Sequence, residues 1–412
     1  MQRLFFSVCL LLLINFPFVT TFAQNTDAVR FFDDEQRRQR DRFIGLRMNS
    51  GTILPTDELT STFDTPYYQS FSLRFGFRST GESWQDFAFG MPYVGFGLYV
   101  ANFPTKREVF GNPIALYMFH GGNILNFTHR WSMHYEWHLG AAFNWNHFDP
   151  FDNPENIVIG SSVTAYASVN VYSRFRLTPR LDINAGVGFS HFSNGAHRLP
   201  NRGMNLLSPF VELAYSLDNR ERTITPVVPI APPAQFQQRI DYDFTFTVSS
   251  RQIDVDTIGT GLPSRYLDHN FPVLGFSFAP FVVPNHRYRY GLSLDVVYDR
   301  SSNARAWREQ HPVTGHWHDR IALAPVGERF AVGLSARGEI TMPLYTFFAG
   351  IGYNFIQQTS APRLYQMIGI KIHPRNDLFA TFGVRATNFS RAQYLYWSLG
   401  YTFQGKPIRR RR

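Results

Sequence analysis

Cysteine is all but missing from this chain: its 412 residues contain one, Cys9. Cys9 lies in an N-terminal stretch made of Met1-Gln2-Arg3 and the apolar run Leu4 to Phe22, with Thr21 and Ala23 as small residues at the minus-three and minus-one positions before Gln24. One early positive charge, a short apolar core and that small-residue pair are expected to form a secretory signal, residues 1–23, cleaved after Ala23. The mature chain then has no thiol, which excludes disulfide frameworks, thiolate metal sites and cysteine nucleophiles. Cys9 also lacks the flanking context of a lipoprotein cysteine. Long apolar runs are scarce too: after Ala23 nothing approaches the ~18 uninterrupted apolar residues of a membrane helix. Acid falls short of base, leaving a formal charge of +9 that comes almost entirely from arginine. No phosphate-cradling glycine loop and no cysteine-histidine finger occurs. An exported chain has little reason to meet nucleic acid, so no nucleic-acid partner and no cofactor are expected.

What is plentiful is aromatic: 17% of the chain, including 41 phenylalanines. Exported, aromatic-rich and without spanning helices, the sequence suits an outer-membrane barrel. The mean hydropathy of -0.21 fits, because lumen-facing polar residues cancel lipid-facing apolar ones along each strand. A soluble secreted β-sandwich acting as a binding module is the plainer alternative. The arginine excess suits a phosphorylated, anionic glycolipid, since guanidinium pairs with phosphate bidentately; a generic solvated rim accounts for it as well. The basic tail, 404–412, ending in Arg409 to Arg412, fits contact with anionic lipid or cell-wall polymer, or a merely solvated end.

The charged, non-periodic segment Arg30 to Arg42 reads as part of a periplasmic lead-in, 24–42. Strand-like segments follow at about 43–50, 68–78, 88–103, 113–126, 131–146, 158–177, 181–195 and 204–217, making a first barrel half over 43–217. In the fifth, Trp131, Met133, Tyr135, Trp137, Leu139, Ala141, Phe143 and Trp145 alternate with Ser132, His134, Glu136, His138, Gly140, Ala142, Asn144 and Asn146. That gives one face for lipid and one for a polar lumen, with tryptophans toward both interfaces. Pro226, Pro229, Pro232 and Pro233 break the pattern and mark a linker, 218–238. A second set of segments at about 240–254, 269–283, 287–300, 328–340, 343–357, 361–373, 377–390 and 393–403 makes a second half, 239–403. It ends on the aromatic alternation Leu395, Trp397, Leu399, Tyr401, Phe403.

The halves look duplicated. Gly186 to Gly195 (GVGFSHFSNG) lies over Gly383 to Ala392 (GVRATNFSRA) without a gap, each copy after a Pro-Arg-x-Asp turn, and Asn388 stands where the first copy has His191. Asparagine cannot act as a base, so the second half is expected to be degenerate. The predicted fold is an all-β transmembrane antiparallel barrel in two tandem eight-stranded halves. One barrel of about sixteen strands is the alternative, because closure depends on pairing that sequence does not reveal.

Chemistry concentrates in one segment, His191-Phe192-Ser193-Asn194-Gly195-Ala196-His197-Arg198-Leu199-Pro200-Asn201-Arg202-Gly203-Met204-Asn205. His191 and Ser193 are two residues apart in a strand, so both continue the apolar face of Leu181, Ile183, Ala185, Val187 and Phe189. The strand 204–217 descends from the external loop 196–203, and its apolar face of Leu207, Pro209, Val211 and Leu213 puts Asn205 at the top of the same side while Glu212 points to the lumen. Ester hydrolysis needs a nucleophile, a base and a group that fixes the base's tautomer; Ser193, His191 and Asn205 can fill those roles. An amide orients imidazole but does not offset imidazolium charge as a carboxylate does. Asn194, Asn201 and the backbone N–H of Gly195 or Gly203 are candidate oxyanion donors.

These residues carry a resemblance. His-aromatic-Ser-Asn followed by Pro-Asn-x-Gly, here His191 to Asn194 and Pro200 to Gly203, resembles the outer-membrane lipid A 3-O-deacylase (PagL-like) or acyloxyacyl hydrolase family. The resemblance implies an eight-stranded barrel over the first half that removes an ester-linked hydroxyacyl chain from lipopolysaccharide in the outer leaflet. It implies His191 as base, Ser193 as nucleophile, and Asn194 and Asn201 as site-shaping residues. It also implies an acid where this chain has Asn205, a departure that bears on rate. A homodimer is compatible with this reading. The contrasting function is a non-catalytic outer-membrane barrel, whether scaffold, porin or assembly partner, with a decayed site.

Two further clusters have ligand-type residues. His134, Glu136 and His138 share a face, but a lumen of hydrogen-bonded polar groups explains them at least as well as a metal does. The stretch His311 to Asp319 (HPVTGHWHD) matches no ligand spacing and reads as an external loop, so no metal site is expected.

Overall fold

The computed structural model describes residues 40–55, 67–81, 86, 89–218, 236–257, 265–342, 345–359, 361–375, 377–388 and 391–408. The expected signal 1–23, the lead-in up to residue 39, the centre of the linker and Arg409 to Arg412 lie outside the described residues.

The first eight strands are β1 (Asp41–Leu54), β2 (Tyr67–Arg78), β3 (Tyr93–Asn102), β4 (Gly111–Asn126), β5 (Trp131–Trp145), β6 (Thr164–Arg176), β7 (Leu181–Ser193) and β8 (Met204–Ser216), with a one-turn helix α1 (Arg107–Phe110) between β3 and β4. Each pairs antiparallel with the next, and β8 returns to β1, so the sheet closes as barrel one. The chain continues as β9 (Arg239–Arg251), β10 (Asp254–Val255), β11 (Arg265–Tyr266), β12 (Phe271–Val283), β13 (Tyr288–Asp299), β14 (Arg305–Gln310), β15 (Trp317–Ala322), β16 (Phe330–Thr341), β17 (Thr346–Gln357), β18 (Leu364–Ile372), β19 (Leu378–Thr387) and β20 (Arg391–Pro407). Of these, β9, β12, β13 and β16 to β20 close as barrel two through the β9–β20 pair, while β10–β11 and β14–β15 form separate two-stranded ribbons. Two closed eight-stranded sheets replace the alternative of a single barrel of about sixteen strands.

Alternation along each strand turns these barrels inside out relative to a soluble protein. Leu46 and Met48 are 46% and 68% exposed on the outside of β1, whereas Arg47 between them is 1% exposed in the lumen. Phe246 and Leu399 mark the same apolar exterior on barrel two. An apolar band around a closed sheet is what a bilayer selects, because closure leaves no unpaired strand edge in hydrocarbon. The protein is therefore an outer-membrane β-barrel protein.

Both lumens are filled by neutralised charge. In barrel one Arg47 bonds Glu212 at 2.7 Å and Glu136 at 2.8 Å, and Arg74 bonds Glu136 at 2.5 Å and also reaches Glu212. Their guanidinium groups lie over Phe210 and Phe119 at 4.0 and 4.1 Å. In barrel two Arg289 bonds Asp243 and Glu339, both at 2.7 Å, and Lys371 bonds Asp243 at 2.8 Å and also reaches Glu339.

Several sequence expectations shift. Trp145, expected on the lipid face, is 4% exposed and donates from Nε1 to Thr164 Oγ1 at 3.0 Å. Asn144 before it takes a left-handed φ of +64°, which breaks the pleat and turns the indole inward. Trp137 does leave the lumen, yet it meets barrel two, with Tyr345 edge-on at 4.7 Å. Residues 317–319 of the expected loop are strand β15, paired with β14. The first strand takes in Asp41 and Arg42 of the lead-in, and the last runs on to Pro407 rather than ending at Phe403.

Candidate active site

At one end of barrel one, β6 and β7 are joined by the turn 177–180; at the other, β7 and β8 are joined by the longer loop 194–203. The loops 103–110 and 146–163 emerge at that same end, the long-loop end that faces outward in such barrels. Phe192 fixes the top of β7 by pointing inward, stacked on Tyr166 at 4.9 Å and set edge-on to Trp145 at 5.2 Å. Period-two geometry then sends His191 and Ser193 to the outer face.

β7 and β8 pair with His191 directly opposite Asn205. His191 Nδ1 lies 2.6 Å from Asn205 Oδ1. An amide oxygen only accepts, so Nδ1 carries the hydrogen and Nε2 keeps its lone pair, the tautomer a general base requires. Gly203 closes over the ring: a Cβ there would sit 2.8 Å from His191 Cε1, and its φ of +73° already favours glycine.

Ser193 is 8% exposed although it belongs to the outer face. Its Oγ accepts from Gly195 N–H at 3.1 Å and from Asn201 Nδ2 at 2.9 Å. With two donors on the oxygen, the hydroxyl hydrogen is left to be given away. Ser193 Oγ makes no hydrogen bond to His191 among the described residues, so a proton transfer between them would require the hydroxyl and imidazole to approach.

The remaining candidates have other partners. Asn194 Nδ2 donates to Ser161 Oγ at 3.0 Å and to Arg198 O at 2.8 Å, and its backbone N–H donates to Asn201 Oδ1 at 3.1 Å. Asn194 thus orients Asn201 and braces the loop. Gly203 N–H is taken by Val158 O at 3.2 Å. Asn201 and Gly195 are therefore the donors aimed at the serine, while Asn194 and Gly203 shape the loop around it.

Other contacts with the loop come from residues that sequence did not single out. Ser161 and Val158 reach it from the β5–β6 loop. From barrel two, Gln252 Oε1 accepts from Leu199 N–H at 2.9 Å, and Ser250 Oγ lies 2.9 Å from His197 Nδ1. None of these carries a local signal, because the partners are joined only when loops and barrels pack.

Burial pushes both His147 and His197 below the ordinary imidazole range, with Arg198 adding repulsion at each. Arg198 and Arg202 put two exposed guanidinium groups in the loop itself. In the lumen, the Glu136 carboxylate is shared by Arg47, Arg74 and His138, the last at 2.7 Å, while His134 bonds Ser132 at 2.9 Å. Those three residues are thus parts of a hydrogen-bonded interior rather than a convergent ligand set.

Residues 240–405, nearly the whole of barrel two, match the family model PagL_C, described as acyloxyacyl hydrolase, C-terminal domain. That match puts barrel two in a PagL-like family, while the His-aromatic-Ser-Asn motif lies in barrel one. No curated protein matches the chain. Among solved structures, the outer membrane enzyme PagL is 13% identical over 41% of this chain and 97% of its own, with a TM-score of 0.28. The siderophore receptor PirA from Acinetobacter baumannii is 10% identical over 92% and 69%, with a TM-score of 0.24. The β domain of the Bordetella autotransporter BrkA is 8% identical over 89% and 99%, with a TM-score of 0.24. At these scores none of the three bears on function.

Proposed function

We propose that this chain, whose second barrel matches the acyloxyacyl hydrolase C-terminal family, is a lipid A deacylase that hydrolyses an ester-linked 3-hydroxyacyl chain of lipopolysaccharide at the outer leaflet. The observation that carries the reading is the His191–Asn205 pair across β7 and β8, next to a serine held by two donors, at the rim of an apolar outer face. A site so placed meets the acyl region of a lipid rather than a soluble ester.

In the proposed reaction His191 Nε2 takes the Ser193 proton while Oγ bonds the ester carbonyl carbon. Charge developing on the carbonyl oxygen is met by donors already beside Oγ, Asn201 Nδ2 and Gly195 N–H. Collapse breaks the carbon–oxygen bond to the sugar, whose leaving oxygen takes the proton from His191. Water, deprotonated by the same imidazole, then releases the fatty acid from the serine. Asn205 keeps the tautomer through Oδ1 but offers no charge to the imidazolium, so the base is weaker than one paired with a carboxylate. Arg198 and Arg202, exposed in the loop, support an anionic head group.

The test is mass spectrometry of lipid A from cells making the intact protein or Ser193→Ala. Loss of one hydroxyacyl mass with the intact protein alone is the expected result. Identical spectra, with both proteins folded in the outer membrane, would favour the non-catalytic barrel instead.

A further inference from the structure

The loop that carries the serine's donors is held by barrel two as well as by barrel one. Gly195 and Ala196 take successive left-handed conformations, with φ of +59° and +63°. Glycine accepts that region freely, but alanine does not; the turn is closed locally by His197 N–H donating to Asn194 O at 3.2 Å, and a further contact holds it from outside. The contact is Gln252, just past the end of β9: its backbone N–H donates to Ala196 O at 3.1 Å, and its Oε1 accepts from Leu199 N–H at 2.9 Å. Gln252 is 5% exposed. Beside it, Ser250 Oγ pairs with His197 Nδ1 at 2.9 Å. Gly195 itself rests on the start of β20, where a Cβ would lie 2.3 Å from Leu395 Cγ and 2.7 Å from Leu395 N.

The two donors on Ser193 Oγ come from Gly195, just before the segment that Gln252 clamps, and from Asn201, two residues after it. We propose that barrel two is a working part of the active site and that Gln252 is its positioning residue, fixing the 196–199 segment so that Gly195 N–H and Asn201 Nδ2 converge on Ser193. Gln252 does not touch the reacting atoms; it acts through the loop. This rests on the deacylase reading for its catalytic consequence, but the clamp itself has a readout independent of activity. It assigns a role to a barrel whose own copy of the motif has Asn388 in place of the histidine.

The experiment compares the full-length protein with Gln252→Ala and Gln252→Glu in micelles containing lipid A. Deacylation kinetics are measured beside hydrogen–deuterium exchange of residues 194–203. Glutamate keeps an Oε acceptor for Leu199 N–H, whereas alanine removes it. The expected result is a kcat lower by about tenfold to a hundredfold in Gln252→Ala with KM little changed, faster exchange in the loop, and recovery of both in Gln252→Glu. Unchanged kcat and exchange in a folded Gln252→Ala protein would overturn the proposal while leaving the deacylase standing. If the wild type itself does not deacylate lipid A, the functional reading fails, and exchange alone then decides the clamp: faster exchange in Gln252→Ala supports it and unchanged exchange overturns it. Should Gln252→Ala fail to fold, Gln252→Met, which removes the Oε acceptor while keeping the side chain's bulk, is read by the same two measurements and the same outcomes.

Discussion

Barrel one joins β7 and β8 through the loop 194–203; barrel two joins their counterparts β19 and β20 through 388–390. In the first, His191 is still in the strand, paired opposite Asn205. In the second, Asn388 has already left it, with a left-handed φ of +50° and an exposed side chain. Phe389 and Ser390, which complete the second copy of the motif, lie outside the described residues. The second copy thus differs in more than the base: among the described residues β19 spans Leu378–Thr387 against Leu181–Ser193 for β7, and far fewer residues separate it from the next strand. The lumens differ in another way. The cluster around Glu136 and Glu212 in barrel one draws two cations and two anions from β1, β2, β5 and β8, while the cluster around Asp243 and Glu339 in barrel two draws them from β9, β13, β16 and β18. Neutrality of the interior is kept although the positions that supply it are not. Burying a charge without a partner is what a lumen cannot tolerate, whichever strand provides the partner.

The sharpest way to break this comparison is at the loop. Ser193→Ala is expected to lower deacylation by about 10⁴-fold or more, and Asn388→His in the same background is expected to restore nothing; any recovered turnover in lipid A spectra would show that the short β19–β20 connection suffices. Next comes the lumen. Glu136→Gln leaves Arg47 and Arg74 sharing Glu212 and is expected to cost about 3–5 kcal/mol, read as a lower midpoint for heat-modified gel mobility. Glu339→Gln likewise leaves Arg289 and Lys371 sharing Asp243, and a loss of similar size is expected. A much smaller loss would argue against the shared-carboxylate account. Asn205→Asp comes third: a carboxylate opposite His191 offsets the imidazolium, so kcat should rise by about tenfold, with a fall pointing to a site tuned around the amide.

The smallest effect is one of pH. His197 is held below the ordinary imidazole value of about 6.5, mainly by burial, so its contribution is intact above that value and is lost as pH falls through the depressed one. Acidification should therefore lower the protection of 194–203 in the wild type, measured relative to the intrinsic exchange rate at each pH, where His197 faces Ser250 and Arg198. Protection in His197→Gln should depend on pH less; equal dependence would remove His197 as the cause.

Much of this architecture is legible in the chain, for a physical reason. Period-two alternation is imposed locally by the pleat, so the sixteen barrel strands, the outward face of His191 and Ser193, and the placing of Asn205 follow from neighbours in sequence. What the chain conceals depends on distance or on a single dihedral. Trp145 follows the apolar alternation and still turns inward, because one left-handed asparagine precedes it. The ribbons β10–β11 and β14–β15 sit in loops where short strands lack a long periodic signature. Closure into two sheets is decided by β1 meeting β8 and β9 meeting β20, pairings between the ends of each half. Gln252 is the extreme case, a loop residue whose place beside Leu199 exists only after two barrels have folded and packed.

The salt-bridged interior of barrel one also bears on transport. Arg47 and Arg74 are each 1% exposed, and Glu136 and Glu212 are 0% and 2% exposed, so the four groups form a dry crosspiece rather than a lining of a water column. A permeating ion would have to unseat an arginine from two carboxylates and shed its own hydration in the same step. Barrel one should accordingly be electrically silent in a planar bilayer, a closed wall that conducts nothing between the two sides.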